Sequence, residues 1–294
     1  MKIVRTKAEL GAALSPARRE AQRIGLVPTM GALHEGHLEL LAAARADCEL
    51  VVMSLFVNPA QFRPGEDLDA YPRDEARDIE LAEAAGVDLI YAPSVEEVYP
   101  RGFATFVEVE GDLTAVLDGA PGSRGSEHFR GVTTIVAKLL NAVDPAVAYF
   151  GQKDAQQALV IKRMARDLDF AVAIEVIETA RADDGLALSS RNAYLSGQDR
   201  RRATALHRAL TAAERTFRDG STATADAIAA ARAELDAAGI EPEYLEARDA
   251  ESLAPAQNFN GRPVLVAVAA RIGPARLIDN IVINAAGEDS WPIS

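Results

Sequence analysis

Two histidines three residues apart carry the clearest chemical signal in the sequence. His34 and His37 lie in the segment P-T-M-G-A-L-H-E-G-H, which spans residues 28–37 and follows a short apolar run. Both imidazoles share one face of a helix N-terminus, where free N–H groups and the helix dipole favour an anion. Gly31 allows a tight turn, and Gly36 leaves room for a ligand. The pattern predicts a phosphate site; helix-capping or packing histidines are the alternative.

Two further polar segments supply cations that suit a phosphate. The segment 150–157, F-G-Q-K-D-A-Q-Q, follows an apolar run and places Lys153 where a helical pattern starts. Lysine binds phosphate as a point charge, and an exposed pair with Asp154, worth little energetically, is the alternative interpretation. The segment 186–192, L-A-L-S-S-R-N, combines two hydroxyl groups with the guanidinium of Arg191. Because arginine recognises phosphate through several donors at once, this segment is a second candidate for a polyphosphate contact.

Two glutamine side chains can recognise a small polar substrate. Gln61 lies in N-P-A-Q-F at 58–62, after another apolar run, and Gln157 lies within the first turn of the helix that follows Lys153. An amide has donors and acceptors but no charge, which suits a molecule that carries hydroxyl and carboxylate groups. Neither segment is specific alone, so their value depends on where the fold places them.

Alternating apolar runs and helical patterns indicate the elements that position these residues. Short, β-branched runs predict buried strands at 24–29, 50–57, 87–92, 146–150 and 172–177. Helical periodicity predicts helices at 34–46, 73–85, 132–143 and 155–167. This order favours a Rossmann-like, doubly wound parallel sheet, in which ligands bind beyond the carboxyl ends of the strands. The segments that hold His34, Gln61 and Lys153 all follow strands, so we expect them on one rim.

The pattern changes after about residue 179. Helices are predicted at 199–218 and 224–238, and strands at 243–248, 264–270 and 276–283. Helices followed by strands indicate a small α+β domain, so we expect domains at 1–179 and 180–294. Residues 120–131, rich in Gly, Ser and Pro, predict a long polar loop that serves as a lid or a disordered insertion. His128 in this loop is a candidate lid or site residue, whereas His207 is expected to pack or face solvent.

Composition limits the class of partner. The 294 residues include 31 Lys and Arg against 44 Asp and Glu, a net charge of −13, which argues against binding nucleic acid or an anionic membrane. The single cysteine, Cys48, excludes an internal disulfide and is expected to be a small buried hydrophobe. No apolar run approaches the ~20 residues of a membrane span, and residues 1–7 lack the apolar core of a signal peptide. We therefore expect a cytoplasmic protein, with a frayed tail at 288–294 in which Trp291 has no role.

The ordered set of segments resembles the pantoate–β-alanine ligase family over nearly the whole chain. The motifs P-T-M-G-x-L-H-x-G-H, F-V-N-P-x-Q-F, H-F-R-G-V, G-x-K-D-x-Q-Q and L-S-S-R-N are joined by D-L-x-x-Y-P-R at 67–73 and R-L-I-D-N at 276–280. The H-x-G-H signature alone is shared with many nucleotidyltransferases and class I aminoacyl-tRNA synthetases, whereas the full set is specific. Departures from the family pattern include Gln152 for Glu, Leu188 for Met and a longer stretch before His128.

The resemblance implies an AMP-forming ligase that makes a carbon–nitrogen bond in pantothenate and coenzyme A biosynthesis. D-Pantoate attacks the α-phosphate of ATP to give pantoyl adenylate and pyrophosphate, and β-alanine then displaces AMP to give pantothenate. A reactive acyl adenylate must be kept from water, so the domain 180–294 and the loop 120–131 are candidates for closing over the site. The resemblance also implies Mg²⁺ and a homodimer formed through the first domain.

The resemblance assigns roles to matching positions. His37 is implied as the proton donor to phosphate, Gln61 and Gln157 as pantoate ligands, and Gln61 also as a contact of β-alanine. The candidate catalytic residues are His34, His37, Lys153, Ser189, Ser190 and Arg191. The candidate ATP-binding residues are Met30, Gly31, Ala32, Leu33, His34, Glu35, Gly36, His37, Gly151, Gln152, Lys153, Asp154, Ala180, Leu188, Ser189, Ser190 and Arg191. Ala180 is implied to lie near the adenosine, and Asp78 and Asp154 are candidates for holding Mg²⁺.

Two other functions stay open from the sequence. Another H-x-G-H nucleotidyltransferase that acts on a phosphorylated acceptor would need extra Lys or Arg near Gln61, where the loop 58–62 is neutral and Arg63 follows it. A nucleotide-binding regulator without turnover would be expected to have lost catalytic positions.

Overall fold

The computed structural model describes residues 1–63, 68 and 71–284. The chain divides into two compact units: the first comprises Met1–Gly151 and Gln156–Glu178, and the second comprises Gln152–Ala155 and the chain from Thr179 onward. The predicted tail 288–294 with Trp291 lies outside the described residues, as does part of the motif at 67–73. Within the described part of the chain, no helix combines the length and the apolar character needed to cross a bilayer.

Six strands form the sheet of the first unit, in the order β1-β4-β3-β2-β5-β6. Every hydrogen-bonded pair is parallel, which confirms the predicted sheet. The strand order reverses at β2 and β5, and such a switch point opens a ligand crevice beyond the carboxyl ends of the strands. The strands are β1 Lys2–Val4, β2 Ile24–Thr29, β3 Leu50–Leu55, β4 Leu89–Tyr91, β5 Val147–Gly151 and β6 Ala173–Ile177.

Helices cover both faces of this sheet. They are α1 Lys7–Arg19, α2 Glu35–Asp47, α3 Glu75–Ala84, α4 Val95–Val98, α5 Asp112–Ala115, α6 Ser126–Val143 and α7 Ala155–Asp167. Leu26 and Val52 join the core that contains residues of α1, α6 and α7, whereas Val27 and Met53 join the core under α2 and α3. Successive strand residues point to opposite faces, so both faces of β2 and β3 are buried and these strands are continuous apolar runs. Cys48 is buried in the second core, as expected.

Several regions of the first unit differ from the predictions, among them the short helices α4 and α5, which were not predicted. Strand β1 and helix α1 were not predicted, because β1 has three residues and Pro16 interrupts the pattern of α1. The prediction of a long loop over 120–131 was wrong in its second half, since α6 already begins at Ser126. The polar residues at the start of α6 hide its helical periodicity, but Phe129 is 2% exposed and Val132 belongs to the first core.

The second unit is the predicted α+β domain. Its helices are α8 Gly197–Arg218 and α9 Thr224–Ala237, and its antiparallel strands are β7 Pro242–Asp249, β8 Val264–Ile272 and β9 Ala275–Ile283. The strand order is β7-β8-β9. Apolar residues of both helices and of β8 and β9 form one core. This unit therefore has its own buried apolar centre, which gives its loops a rigid base.

Candidate active site

The H-x-G-H segment leaves β2 through a sharp left-handed turn. Gly31 has φ +84° and Ala32 has φ +53°, and only glycine adopts such backbone angles without strain. A Cβ atom at Gly31 would also come within 2.7 Å of a carboxylate oxygen of Asp78. Position 31 therefore needs glycine both for its backbone angle and for the close approach of Asp78.

Asp78, from the first turn of α3, holds this turn in place. Its two carboxylate oxygens accept hydrogen bonds from the backbone N–H of Ala32 at 2.9 Å and of Leu33 at 2.7 Å. The side chain is only 2% exposed, so these bonds replace the water that a buried carboxylate would otherwise need. Asp78, which the sequence suggests as a Mg²⁺ ligand, is thus bonded to the backbone instead. No local pattern identifies it, because its partners lie about 45 residues earlier.

The two histidines lie side by side at the start of α2. His34 is the N-cap residue with extended backbone angles, and its ring centroid lies 4.1 Å from that of His37. The backbone N–H of His34 points to Nδ1 of His37 at 3.3 Å. Because Nδ1 accepts, the neutral ring of His37 carries its proton on Nε2 and presents an N–H donor there. Both rings are half-buried, so a ligand at the helix N-terminus can reach them.

Gln61 lies next to this segment at the end of a short 3-10 helix, Pro59–Gln61. Its amide nitrogen is 3.0 Å from the sulfur of Met30, and its amide oxygen accepts from Asn58 at 3.1 Å. The oxygen of Asn58 in turn accepts from the hydroxyl of Tyr99 at 2.7 Å. Gln61 is 7% exposed, so its amide is oriented by this network. Sequence reasoning missed Tyr99, for which no local signal exists.

The first turns of α6 support the backbone of Gln61. Nδ1 of His128 lies 2.7 Å from the carbonyl oxygen of Gln61, and His128 is 3% exposed. Gly131 approaches the same loop so closely that a Cβ there would lie 2.3 Å from the carbonyl oxygen of Ala60. The carbonyl of Gly131 also accepts from Asn58 at 3.1 Å. His128 therefore lies in a buried support for Gln61, which contradicts the lid alternative of its prediction and leaves the site alternative as a prediction.

Lys153 lies in the second unit, on the 3-10 helix Gln152–Asp154 that follows β5. Its ammonium group is 3.4 Å from the carboxylate of Asp154, and their side chains are 20% and 48% exposed. The carbonyl groups of Gln152 and Lys153 both accept from the amide nitrogen of Asn280, each at 2.9 Å. The backbone of this segment is therefore fixed, while the Lys153–Asp154 pair keeps access to solvent.

The two glutamines that follow have different roles in the first unit. Gln156 is 7% exposed and donates to the carbonyl groups of Leu113 and Val116 at 2.9 and 2.8 Å, so it fixes the residues before α6. Gln157 is half-buried, so part of its side chain is accessible to a ligand. The motif G-x-K-D-x-Q-Q thus contains one structural amide and one candidate ligand amide.

Ser189, Ser190 and Arg191 follow a short hydrogen-bonded hairpin of the second unit. Leu188 N–H donates to the carbonyl of Ala180 at 2.9 Å, which brings together two residues predicted to bind ATP. Ser189 caps a 3-10 helix, Ser190–Tyr194, by accepting from the backbone N–H of Arg191 at 3.3 Å. All three side chains are half-buried, so their hydroxyl and guanidinium groups lie at the surface of a rigid turn.

His207 packs under this hairpin, as expected for a packing residue. A Cβ at Gly185 would come within 2.6 Å of its ring. Burial lowers the pKa of His207, and the positive charge of Arg181 lowers it further, against the opposing effect of Asp279. His207 is therefore a packed support of the turn.

The acidic and histidine side chains do not form a metal centre by themselves. Among residues 1–63, 68 and 71–284, no three His, Cys, Asp or Glu side chains are grouped so that they could hold a metal ion. Mg²⁺ at ATP sites is typically held by one or two carboxylates together with substrate phosphates and water. A single available carboxylate, such as Asp154, fits that mode of binding, whereas Asp78 does not.

Comparison with known proteins identifies the family of this chain. Residues 2–282 match the sequence profile of the pantoate-beta-alanine ligase family. Pantothenate synthetase from Moorella thermoacetica is 52% identical over 287 residues, which cover 97% of this chain and 99% of that protein.

Solved structures agree. Pantothenate synthetase from Thermus thermophilus superimposes with a TM-score of 0.89 at 48% identity and covers 96% of this chain and 99% of its own. The pantoate-beta-alanine ligase of Francisella tularensis, solved as a complex with beta-gamma ATP and beta-alanine, has a TM-score of 0.77 at 31% identity and covers 99% and 100%. Both the length and the fold of these proteins are therefore matched. The chain belongs to the pantoate–beta-alanine ligase family.

Proposed function

We propose that this chain condenses D-pantoate with β-alanine to pantothenate, consuming ATP and releasing AMP and pyrophosphate. The observation that carries the proposal is the H-x-G-H turn. It places the Nε2–H donor of His37 at the N-terminus of α2, beyond β2 at the switch point of the sheet. A donor and a helix N-terminus together stabilise negative charge on phosphate.

In the first step a carboxylate oxygen of pantoate forms a bond to the α-phosphorus of ATP, and the bond from that phosphorus to the bridging oxygen breaks. Pyrophosphate leaves with the electron pair. Negative charge increases on the α-phosphoryl oxygens, where Nε2–H of His37 and the amides of α2 donate. Lys153, Ser189, Ser190 and Arg191 contribute cations and donors from the second unit, and His34 orients His37. Preorganised donors of this kind are the largest catalytic contribution expected.

In the second step the amine of β-alanine attacks the acyl carbon of pantoyl adenylate. A carbon–nitrogen bond forms, the carbon–oxygen bond to phosphate breaks, and AMP leaves with that oxygen. The nitrogen, positively charged after the attack, gives its proton to water. Gln61 and Gln157 hold the pantoyl group, and Gln61 also meets β-alanine. Positioning two small substrates supplies much of the remaining rate. The buried bonds of Asn58 and His128 to Gln61 support this role, because they leave its amide little freedom.

We propose that Asp154 contributes to Mg²⁺ binding together with the phosphates of ATP. The ion would offset phosphate charge when bound. Asp154 fits because its carboxylate is 48% exposed and lies 3.4 Å from the ammonium group of Lys153, a contact that leaves room for other ligands. Lys153 would be released from this contact to meet phosphate.

We also propose a cytoplasmic homodimer formed through the first unit. ATP and the acid substrates belong to cytoplasmic metabolism, which supports the location. The resemblance to the ligase family supports the dimer. Light scattering on the purified protein tests this: a mass of two chains supports the proposal, and a mass of one chain contradicts it.

The rival transfer to a phosphorylated acceptor is less well supported. A cavity of about 220 Å³ adjoins Gln61, and Arg63 and Arg130 line it. Arg63 donates to the carbonyl of Ser123 at 2.6 Å, and Arg130 lies over the ring of Phe106 at 4.0 Å. Both cations already contact the protein, and the match of residues 2–282 to the ligase family favours the ligase over the rival.

Isotope exchange between pyrophosphate and ATP tests the adenylation step. We expect exchange that requires D-pantoate and does not require β-alanine, because the adenylate forms before the amine enters. Exchange without pantoate, or no exchange with pantoate, contradicts the proposal. Exchange that instead requires a phosphorylated acceptor would support the rival transferase.

A further inference from the structure

Two adjacent polar residues are buried in the middle of strand β9. Asp279 is 3% exposed and Asn280 is 4% exposed, in a strand whose other inward residues are apolar. Burying a charge or an amide costs free energy unless it is hydrogen-bonded. Consecutive strand residues point to opposite faces of the sheet. The pair can therefore reach two different loops from one place, and the contacts of each residue show which.

Asn280 contacts the segment that carries Lys153. Its amide nitrogen donates to the carbonyl oxygens of Gln152 and Lys153, each at 2.9 Å. Because both acceptors are carbonyls, the nitrogen of the amide must face them. Both N–H groups of one side chain are thus used on two successive peptide units, which fixes the backbone direction at Lys153.

Asp279 contacts the hairpin that leads to Ser189. Its carboxylate forms a two-point ion pair with Arg181, at 2.7 and 2.9 Å. Arg181 also donates to the carbonyl of Gly185 at 3.2 Å and pairs with Ala187 across the hairpin. The same carboxylate accepts the backbone N–H of Asn280 at 2.8 Å, so the two contacts are linked at one point of β9.

We propose that the Asp279–Asn280 pair is a positioning element that sets the two ATP-contacting loops of the second unit. Asn280 positions Lys153, and Asp279, through Arg181, positions the turn of Ser189, Ser190 and Arg191. The proposal rests on the proposed function, since it assumes that these loops meet ATP. Neither residue touches a reacting atom; each acts through the backbone of a loop.

The proposed role depends on how precisely the cations of the two loops are positioned. A cation helps a transition state only if it lies within about 0.5 Å of its productive position, and residues on strands hold such positions better than loops do. The pair connects two loops, far apart in sequence, to the rigid three-stranded sheet. It also explains the R-L-I-D-N segment, which no other step of the mechanism uses.

The first arm of the proposal, that Asn280 positions Lys153, is tested most directly by Asn280→Asp. The new carboxylate has the same shape as the amide but cannot donate to two carbonyl groups. Asn280→Ala, which adds no charge, is the second variant. Asn260→Asp, at an exposed position of the same unit, is the matched control for the added charge. Hydrogen exchange of the peptide that contains 152–154 measures the positioning directly, without substrate. We expect faster exchange there in both Asn280 variants and no change in the control.

Exchange kinetics with ATP and pyrophosphate then separate positioning from general loss of structure. We expect kcat per folded protein to fall about tenfold or more in Asn280→Asp, with the KM for pantoate changed less than about twofold. In a Lys153→Ala background the same change is expected to cost less than about twofold more, because Asn280 acts only through Lys153. An equal fold loss of kcat in the unmodified and the Lys153→Ala backgrounds would overturn the assignment. Unchanged protection of residues 152–154 from hydrogen exchange would overturn it too.

The second arm is tested with Asp279→Asn, with Arg181→Lys as a variant that keeps the charge but loses the two-point contact. Asp219→Asn, at an exposed helix end, is the control. We expect faster hydrogen exchange at 186–191 and a higher KM for ATP in the two test variants only. Unchanged values in Arg181→Lys would overturn this arm. If the unmodified protein shows no pantoate-dependent exchange at all, the proposed function fails, whereas the hydrogen-exchange result still judges the contacts.

Discussion

In the first unit an acceptor holds the reactive loop, whereas in the second unit a donor does. The carboxylate of Asp78 accepts hydrogen bonds from the N–H groups of Ala32 and Leu33, in the turn that precedes the histidines. The amide of Asn280 donates hydrogen bonds to the carbonyl groups of Gln152 and Lys153. In both cases a buried polar side chain from a regular element far along the chain binds two successive peptide units.

The difference follows from the backbone of each loop. The left-handed turn at Gly31 and Ala32 directs successive N–H groups toward the protein, and buried N–H groups require an acceptor. The 3-10 turn at Gln152–Asp154 directs carbonyl groups toward β9, so it requires a donor. The unpaired backbone groups of each turn therefore determine whether the side chain that holds it, here called its anchor, is an acceptor such as Asp78 or a donor such as Asn280. Exchanging the two types of side chain is expected to disrupt both loops.

The largest expected effect is the loss of one reactive side chain from each unit. His37→Ala removes the Nε2–H donor and Lys153→Ala removes the cation, so each is expected to lower kcat about 10²- to 10³-fold while the fold survives. Circular dichroism checks the fold, and pantothenate formation checks the rate. Near-normal kinetics in either variant would remove that residue from the mechanism.

The next effect concerns the acceptor anchor. Asp78→Asn keeps the shape of the side chain but places an NH₂ group against a backbone N–H, so one hydrogen bond is lost and two donors meet. We expect a loss of about 1–3 kcal/mol in the free energy of unfolding and up to about a hundredfold in kcat. Urea unfolding and steady-state kinetics measure the two. Glu80→Gln, exposed on the same helix, is the control and is expected to change neither.

A smaller effect is expected where α6 meets the loop of Gln61. Gly131→Ala places a methyl group 2.3 Å from the carbonyl of Ala60, so the loop must shift. Because Gln61 is the proposed pantoate ligand, we expect the KM for pantoate to rise more than the KM for ATP. Equal changes in both KM values would show that this support serves the whole unit rather than the pantoate contact.

The smallest effect is a pH dependence confined to the second unit. Burial and the charge of Arg181 lower the pKa of His207 below its ordinary value of 6.5. As the pH falls through that value the unfolded chain takes up a proton and the folded chain does not, so stability is lost. His207→Gln cannot titrate and is expected to lose less stability between about pH 8 and about pH 5.

Thermal unfolding midpoints at the two pH values measure this difference. A loss of packing in the variant lowers the midpoints at both pH values alike. The titration of His207 is therefore read from the difference between the two midpoints of each protein. The same difference in both proteins would show that His207 titrates as it does in water.

The sequence predicts the elements and the reactive loops because both depend on local patterns. The H-x-G-H segment follows β2 as expected, and helix α7 has its predicted bounds, since apolar period and turn residues are visible within a short window. The anchors could not be predicted in the same way. His128 meets Gln61 across 67 positions and Asn280 meets Gln152 across 128. The one available signal was the polar pair Asp279–Asn280 inside an apolar strand.

The start of α6 shows the limit of composition as a guide. Residues 120–131 have the glycine, serine and charge of a loop, yet the helix starts at Ser126. Tertiary contacts decide this case, because Phe129 is buried and His128 is bonded to Gln61. Local polarity therefore concealed a structural helix end that supports the site.

The most direct measurement follows a labelled oxygen. If pantoate is activated as an adenylate, a carboxylate oxygen becomes bonded to phosphorus and stays there when β-alanine attacks the acyl carbon. With pantoate labelled by ¹⁸O at both carboxylate oxygens, mass spectrometry is expected to find one labelled oxygen in each AMP released. Pantothenate is expected to keep the other labelled oxygen, in its amide. Unlabelled AMP from a reaction that forms pantothenate would contradict the account.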